Sequence, residues 1–306
     1  MGKVNLEVRI GSLTLRNPVM NASGTFGTYE YLEYFDFSRI GAVIPKSVTQ
    51  NPRAGNKTPR ITEVFGGVIN AVGIQNTGIH DFVDNKLPKM TGIQAPIIVS
   101  LSNTAVKDFE TSIQILEDAE GISAYEINIS CPNIEKDGSA FGFSETDTAE
   151  VVYTVRKAMK TNRPVIVKLS PNVTDITQIA KAASGEGADA LTIANTYIGM
   201  VVDINTRKPV LGNKFGGVSG AAIKPLTMRR VYSVCKSIDI PVIAAGGICS
   251  SQDALEYLMV GAKAVQVGTA NFTNTAIMED IVLGIENWLE NNGITDINDF
   301  IGTIQD

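Results

Sequence analysis

Three features of the sequence predict an α/β fold, a single (β/α)8 barrel with inserted loops at its C-terminal face. Eight short apolar runs recur along the chain, mostly without polar alternation, as expected of strands buried on both faces of a parallel sheet. Segments of helical periodicity lie between several of them. The 306 residues, 44% hydrophobic and 19% charged, suffice for one large core, and a barrel takes that length as one domain, 1–306. No linker, internal repeat or low-complexity stretch divides the chain.

The eight runs are Pro18–Ala22, Ala42–Pro45, Pro96–Leu101, Ala124–Ile129, Pro164–Leu169, Ala190–Ala194, Pro241–Ala245 and Ala264–Val267. Between the fourth and fifth, Asp147-Thr148-Ala149-Glu150 reads as a capping box, followed by one apolar face of Val151, Val152, Val155 and Met159. After the seventh, Ser250 and Asp253 open a helix with Leu255, Leu258 and Met259 apolar and Gly261 placed to end it. Ile277, Ile281, Ile285, Trp288 and Leu289 form the stripe of a C-terminal helix. These stripes read as core. Two connections, Ser47–Ala95 and Thr196–Lys224, are too long for turns, and both leave C-terminal strand ends, where a barrel builds its active site.

The formal net charge of −6, with no block of like charges, argues against a nucleic-acid partner. The start, Met1 to Glu7, has no apolar signal core, and no apolar run is long enough to span a bilayer, so a cytoplasmic protein is expected. Cys131, Cys235 and Cys249 are too few and too scattered for a disulfide framework or a metal site. His80 is the only histidine, which excludes mechanisms needing two; it reads as an incidental loop residue.

The strand ends carry the chemistry. In order they offer Asn21 and Ser23, Lys46-Ser47, Ser102-Asn103, Asn128 with Cys131, Lys168, Asn195-Thr196, Gly246-Gly247 and Gly268-Thr269. In a parallel barrel all of these converge on one face. The two glycine pairs close strands seven and eight, the usual phosphate site of this architecture, where bare backbone approaches the anion. As isolated pairs they would be tight turns; together at these strands they favour phosphate. Lys46 and Lys168 follow apolar residues into the barrel mouth. Such a lysine meets an anion, gives up its proton, or snorkels to the rim. A Schiff-base lysine is the rival functional reading. Asn70, Asn128, Asn133 and Asn195 suit a planar heterocycle with alternating C=O and N–H edges, although turn chemistry is the plainer reading of Asn133. Cys131 sits just past a strand end, and a thiol of ordinary pKa about 8.5 is a workable base near neutral pH. Cys235 falls in a helical stripe and Cys249 follows the glycines; both read as structural.

Several segments together resemble the dihydroorotate dehydrogenases: Asn21-Ala22-Ser23-Gly24, Lys46-Ser47, Asn70-Ala71-Val72-Gly73-Ile74-Gln75-Asn76, Asn128-Ile129-Ser130-Cys131-Pro132-Asn133, Lys168-Leu169-Ser170-Pro171-Asn172, Asn195-Thr196 and Gly216–Pro225. The two terminal glycine pairs fit as well, so the resemblance covers nearly the whole chain. Cysteine at the base position resembles class 1; class 2 relatives use serine and carry an N-terminal extension. Gly138-Ser139-Ala140-Phe141-Gly142 and Gly216–Pro225 look most like the NAD-linked class 1B catalytic subunit. Ile74, Thr77 and Ala194 depart from the expected pattern and affect pocket shape.

The resemblance implies FMN-dependent oxidation of dihydroorotate to orotate in de novo pyrimidine (UMP) synthesis, with Cys131 as base. It implies substrate contacts from Lys46, Asn70, Ala71, Val72, Gly73, Ile74, Asn128, Asn133, Asn195 and Thr196. One FMN would be held by Ser23, Lys46, Ser47, Asn103, Asn128, Lys168, Ala194, Gly220, Gly246, Gly247, Gly268 and Thr269. Lys168 would counter charge on the reduced ring. The chain has no strand–GxGxxG–helix unit and too few cysteines for a four-cysteine cluster. FAD and an iron–sulfur cluster are therefore expected on a partner subunit, in a heterotetramer built on a homodimer. A fumarate-linked class 1A enzyme is the alternative within the family, and a Schiff-base lyase the one outside it. The lid is expected at Pro132–Phe143.

Overall fold

The computed structural model describes residues 4–130 and 141–305. Seven parallel strands form one curled sheet in the order Ile98–Leu101, Ala124–Asn128, Val165–Lys168, Ala190–Ile193, Val242–Ala245, Ala264–Val267, Val19–Asn21. Almost every residue in them is buried, which is why their sequences run apolar without alternation.

The gap between first and last is filled by the 42–45 segment. It bridges Met20 through Ala42 on one side and Ile97 through Val43 on the other, both parallel, and so closes eight staves into a ring. The expectation of a full strand there is corrected: Pro45 lacks the N–H a ladder needs, and the segment is held at points instead. The Val43 N–H donates to Pro96 O (2.9 Å), and Val43 O accepts from the Ile98 N–H (2.9 Å). Ile44 pairs with a side chain. Its N–H donates to Asn21 Oδ1 (2.9 Å), and its carbonyl accepts from Asn21 Nδ2 (2.7 Å). Asn21 is fully buried and works as a structural clamp.

Helices Val106–Glu117, Glu145–Ala158, Ile176–Gly185, Lys224–Cys235, Ser251–Met259 and Ile277–Asn291 pack outside the sheet. The expected stripes are buried: Val151, Val152 and Val155 on one helix, Ile281, Ile285 and Leu289 on the last. The capping box starts three residues earlier than expected. Ser144 is the N-cap, its hydroxyl accepting from the Asp147 N–H, and Asp147 sits inside the first turn. Ser250 caps Ser251–Met259 as its sequence predicts. Among the described residues no helix is long and apolar enough to cross a membrane.

The two long connections meet. Ile61–Val64 and Gly67–Asn70 from the first, with Tyr197–Met200 and Phe215–Ser219 from the second, form one four-stranded antiparallel sheet. Glycine makes the seam possible. A Cβ on Gly217 would lie 1.9 Å from Thr196 Oγ1, and one on Gly216 would lie 2.7 Å from Asn70 O.

Candidate active site

This added sheet and the C-terminal strand ends enclose a cavity of about 1240 Å³, counting its open mouth. Its described lining includes two lysines, Lys46 and Lys168, and no carboxylate or arginine. A pocket carrying two cations and no lining anion suits a negatively charged ligand.

At one end stand the glycine turns. Gly246 (φ +145) and Gly247 (φ +72) have backbone conformations that L side chains rarely adopt. The turn is braced from below. Tyr257 Oη donates to Gly246 O (2.7 Å), and Asp253 accepts from the Cys249 N–H (2.8 Å) and Ser250 Oγ (2.9 Å). Lys224 bridges Asp253 (2.5 Å) and Glu256 (2.6 Å). Burial opposes charge on both partners. At Asp253 the hydrogen bonds from Lys224, the Cys249 N–H and Ser250 together outweigh burial and hold its carboxyl below the usual range, while the two carboxylates raise Lys224. Gly268 and Thr269 complete this end, with Thr269 Oγ1 donating to Ser219 Oγ (2.9 Å) and so tying the barrel to the added sheet.

In the middle, Ser23 and Ser47 hydroxyls lie 3.1 Å apart. Lys168 is 5% exposed and its Nζ donates to Gln266 Oε1 at 3.0 Å. Gly24, at φ +74, makes room for the Lys46 side chain, whose Cδ would lie 2.9 Å from a Cβ there. At the other end, Asn128 and Asn195 are joined through Ser130: Ser130 Oγ donates to Asn128 Oδ1 (2.6 Å) and accepts from Asn195 Nδ2 (2.8 Å). Asn195 Oδ1 accepts the Thr196 N–H (2.8 Å), and Asn172 Nδ2 donates to Thr196 O (2.9 Å). Asn70 donates to Gly217 O across the seam (3.4 Å). Val72, Gly73 and Ile74 form a wall. Ile74 has φ +51, unusual for a β-branched residue, with its carbonyl held by Asn76 Nδ2 (2.8 Å).

The structure thus brings together Ser23, Lys46, Ser47, Asn70, Val72, Gly73, Ile74, Asn128, Lys168, Ala194, Asn195, Thr196, Gly220, Gly246, Gly247, Gly268 and Thr269. Ala71 faces away, into a small core with Ile69 and Leu211. Asn103 is buried beside the cavity, not on it; its Oδ1 accepts the Gln50 N–H (2.7 Å) and its Nδ2 donates to Ser112 Oγ (3.2 Å). Cys131 and Asn133, with most of the expected lid, lie outside the described residues. The chain is fixed on either side of them, where the Gly142 N–H donates to Ile129 O (3.0 Å). Cys235 is packed against the core, its thiol pushed up to about 12 by burial. Cys249 lines the cavity with its thiol raised by burial and by Asp253.

Sequence reasoning missed Gln266. Its signal was a polar residue inside an apolar run, Val265-Gln266-Val267, and Glu126 in Tyr125-Glu126-Ile127 has the same form.

The family model for dihydroorotate dehydrogenase matches residues 5–289. The chain belongs to the dihydroorotate dehydrogenase family. It is 47% identical to the "Dihydroorotate dehydrogenase B (NAD(+)), catalytic subunit" of Desulforamulus reducens, covering 98% of each chain. It is 45% identical to the protein of that name from Geotalea daltonii, covering 100% of each. The fold is also that of a crystal structure of the Eimeria tenella dihydroorotate dehydrogenase in complex with ferulenol, with TM-score 0.81 and 22% identity, covering 98% of this chain and 88% of that one. Family membership sets the Schiff-base lyase aside.

Proposed function

We propose that this chain oxidises dihydroorotate to orotate with one bound FMN, in pyrimidine synthesis in the cytoplasm. The observation that carries the reading is the cavity itself: two lysines, glycine turns at the last two staves and an amide cluster opposite, with no lining carboxylate among the described residues. The donor set fits FMN. The phosphate would rest on Gly246, Gly247, Gly268 and Thr269, and the ring system between Ser23, Ser47, Lys46 and Lys168. The chemistry supplied by FMN when bound is hydride acceptance.

The chain's residues do the rest. Asn70, Asn128, Asn195 and Thr196 hold the substrate by its carbonyl and N–H edges, with Asn133 from the segment after Cys131. Lys46 answers the substrate carboxylate. Cys131, as thiolate, takes the proton from one ring carbon while the hydride leaves its neighbour, so the substrate loses one proton and one hydride. Neither Cys235 nor Cys249 suits that task, since burial favours their protonated forms.

The relatives named as NAD(+) catalytic subunits support NAD as final acceptor through a partner subunit. We place FAD and an iron–sulfur cluster on that partner, in a heterotetramer built on a homodimer. The test is anaerobic. Dihydroorotate added to the yellow chain should bleach it, and the chain alone should not reduce NAD at the rate of the assembled enzyme. Bleaching followed by rapid turnover with fumarate would favour the class 1A alternative. A chain that takes up no FMN would defeat the proposal.

A further inference from the structure

A carboxylate stands behind the cavity wall. Glu126 is fully buried inside the barrel, on the strand that leads to Asn128. Its Oε1 accepts from Ser100 Oγ (3.1 Å); its Oε2 accepts from Thr192 Oγ1 (3.2 Å) and Gln266 Nε2 (2.6 Å). Three donors converge on this carboxylate, and a lysine lies one residue beyond, on the far side of Gln266.

An ionised carboxylate only accepts and an ammonium only donates. These facts fix the polarity of everything between them. Gln266 must turn its amide N–H to Glu126 and its oxygen to Lys168 Nζ (3.0 Å). Ser100 spends its hydrogen on Glu126, so Ser47, 2.9 Å away, donates to Ser100, and Ser23 donates to Ser47. The cavity therefore meets oxygen acceptors at Ser23 and Ser47 and a donor at Lys168. The negative charge of Glu126 also offsets part of the Lys168 field.

We propose that Glu126, acting through Gln266, is a positioning residue that sets the charge presented by Lys168 and thereby the reduction potential of the bound flavin. The inference rests on the FMN reading of the cavity. It predicts opposite shifts from two isosteric changes. Glu126→Gln removes the counter-charge, so the reduced, more anionic flavin should be favoured over the oxidised form about tenfold more, a rise of about 30 mV for a two-electron couple. The swap Glu126→Gln/Gln266→Glu puts the carboxylate directly against Lys168, and the potential should fall below wild type.

The measurement is a spectroscopic redox titration of each FMN-loaded protein, with thermal melts alongside. Opposite shifts support the proposal, because loosened packing has no reason to reverse sign. A wild-type potential in Glu126→Gln with FMN bound, or shifts of the same sign in both, would overturn it. If the single variant does not fold, the swap, which keeps one carboxylate and one amide in the pair, decides by the direction of its shift. A wild-type chain that stays colourless with FMN would instead bring down the flavin reading, and this inference with it.

Discussion

Tyr125 and Glu126 are neighbours on one strand and face opposite ways, as successive strand residues do. On the outer side, Tyr125 Oη donates to a second buried carboxylate, Glu117 (2.8 Å). Glu117 also accepts from the Lys160 N–H (2.6 Å), the Thr161 N–H (2.6 Å) and Thr161 Oγ1 (2.9 Å), and Arg163 lies 3.5 Å away. Lys160, Thr161 and Arg163 all lie in one connection, and two of these contacts are to its main chain, so the work of Glu117 is to pin that loop. On the inner side, Glu126 has only side-chain partners, and these run to Lys168 and Ser47 in the cavity. Two carboxylates, both buried, thus divide between holding the fold and conditioning the site. Damage on the cavity side should appear in chemistry with the fold intact, and damage on the outer side in stability with chemistry intact.

The largest effect expected is on the cavity side. Cys131→Ala should slow flavin reduction by dihydroorotate on the order of 10²–10⁴-fold, the range for loss of a general base. FMN should stay bound and the melting temperature should not move. Cys131→Ser should also be far slower than wild type near neutral pH, because a hydroxyl is a much weaker base. Rapid-mixing absorbance checks both, and a wild-type rate in Cys131→Ala would remove the assigned role. On the outer side, Glu117→Ala should lose about 3 kcal/mol, since it leaves the buried Tyr125 hydroxyl and the Lys160 and Thr161 N–H groups without their acceptor. Urea unfolding reads this, and folded protein should keep its turnover; a proportional loss of kcat would erase the distinction between the two sides. Gly217→Ala falls between. A Cβ there meets Thr196, so substrate KM should rise about tenfold while FMN remains bound.

The smallest effect is a pH dependence. Burial works to raise the Glu117 pKa, but the hydrogen bonds from Tyr125, Lys160 and Thr161 outweigh it and the pKa is lowered. A carboxyl lowered by folding stabilises the protein above the ordinary value of about 4.3, and that contribution disappears as pH falls from there through the folded value. The stability gap between wild type and Glu117→Gln should therefore narrow in that acid window. A gap unchanged by acid would show that the charge is not what matters.

Much of this arrangement was legible in the sequence for a definite reason. Strands buried on both faces read as apolar runs, and a parallel ring sends all their ends to one face, so residues as distant as Ser23 and Gly268 could be assigned to one site. Where the sequence misled, side chains had substituted for backbone. Asn21 looks like a ligand group because nothing local shows that it faces Ile44, 23 positions on. Asn103 follows a strand end much as Asn128 closes one, yet it turns to Gln50 and Ser112. Glu126 and Gln266 passed unnoticed because their partners are 140 residues apart. The antiparallel sheet over the mouth was read only as two long connections, since its seam depends on glycines that locally signal turns.

The side-chain clamp at Asn21 has a mechanical consequence. Lys168 rides on a strand bonded to neighbours on both sides, whereas Lys46 rides on a stretch tacked down at a few points. The two walls of the one cavity therefore differ in compliance: one is stiff, and the other is able to open locally without unzipping the barrel. In Asn21→Ala the amide of Ile44 should be the first of the wall amides to exchange with deuterium, and those of Val165–Lys168 among the last.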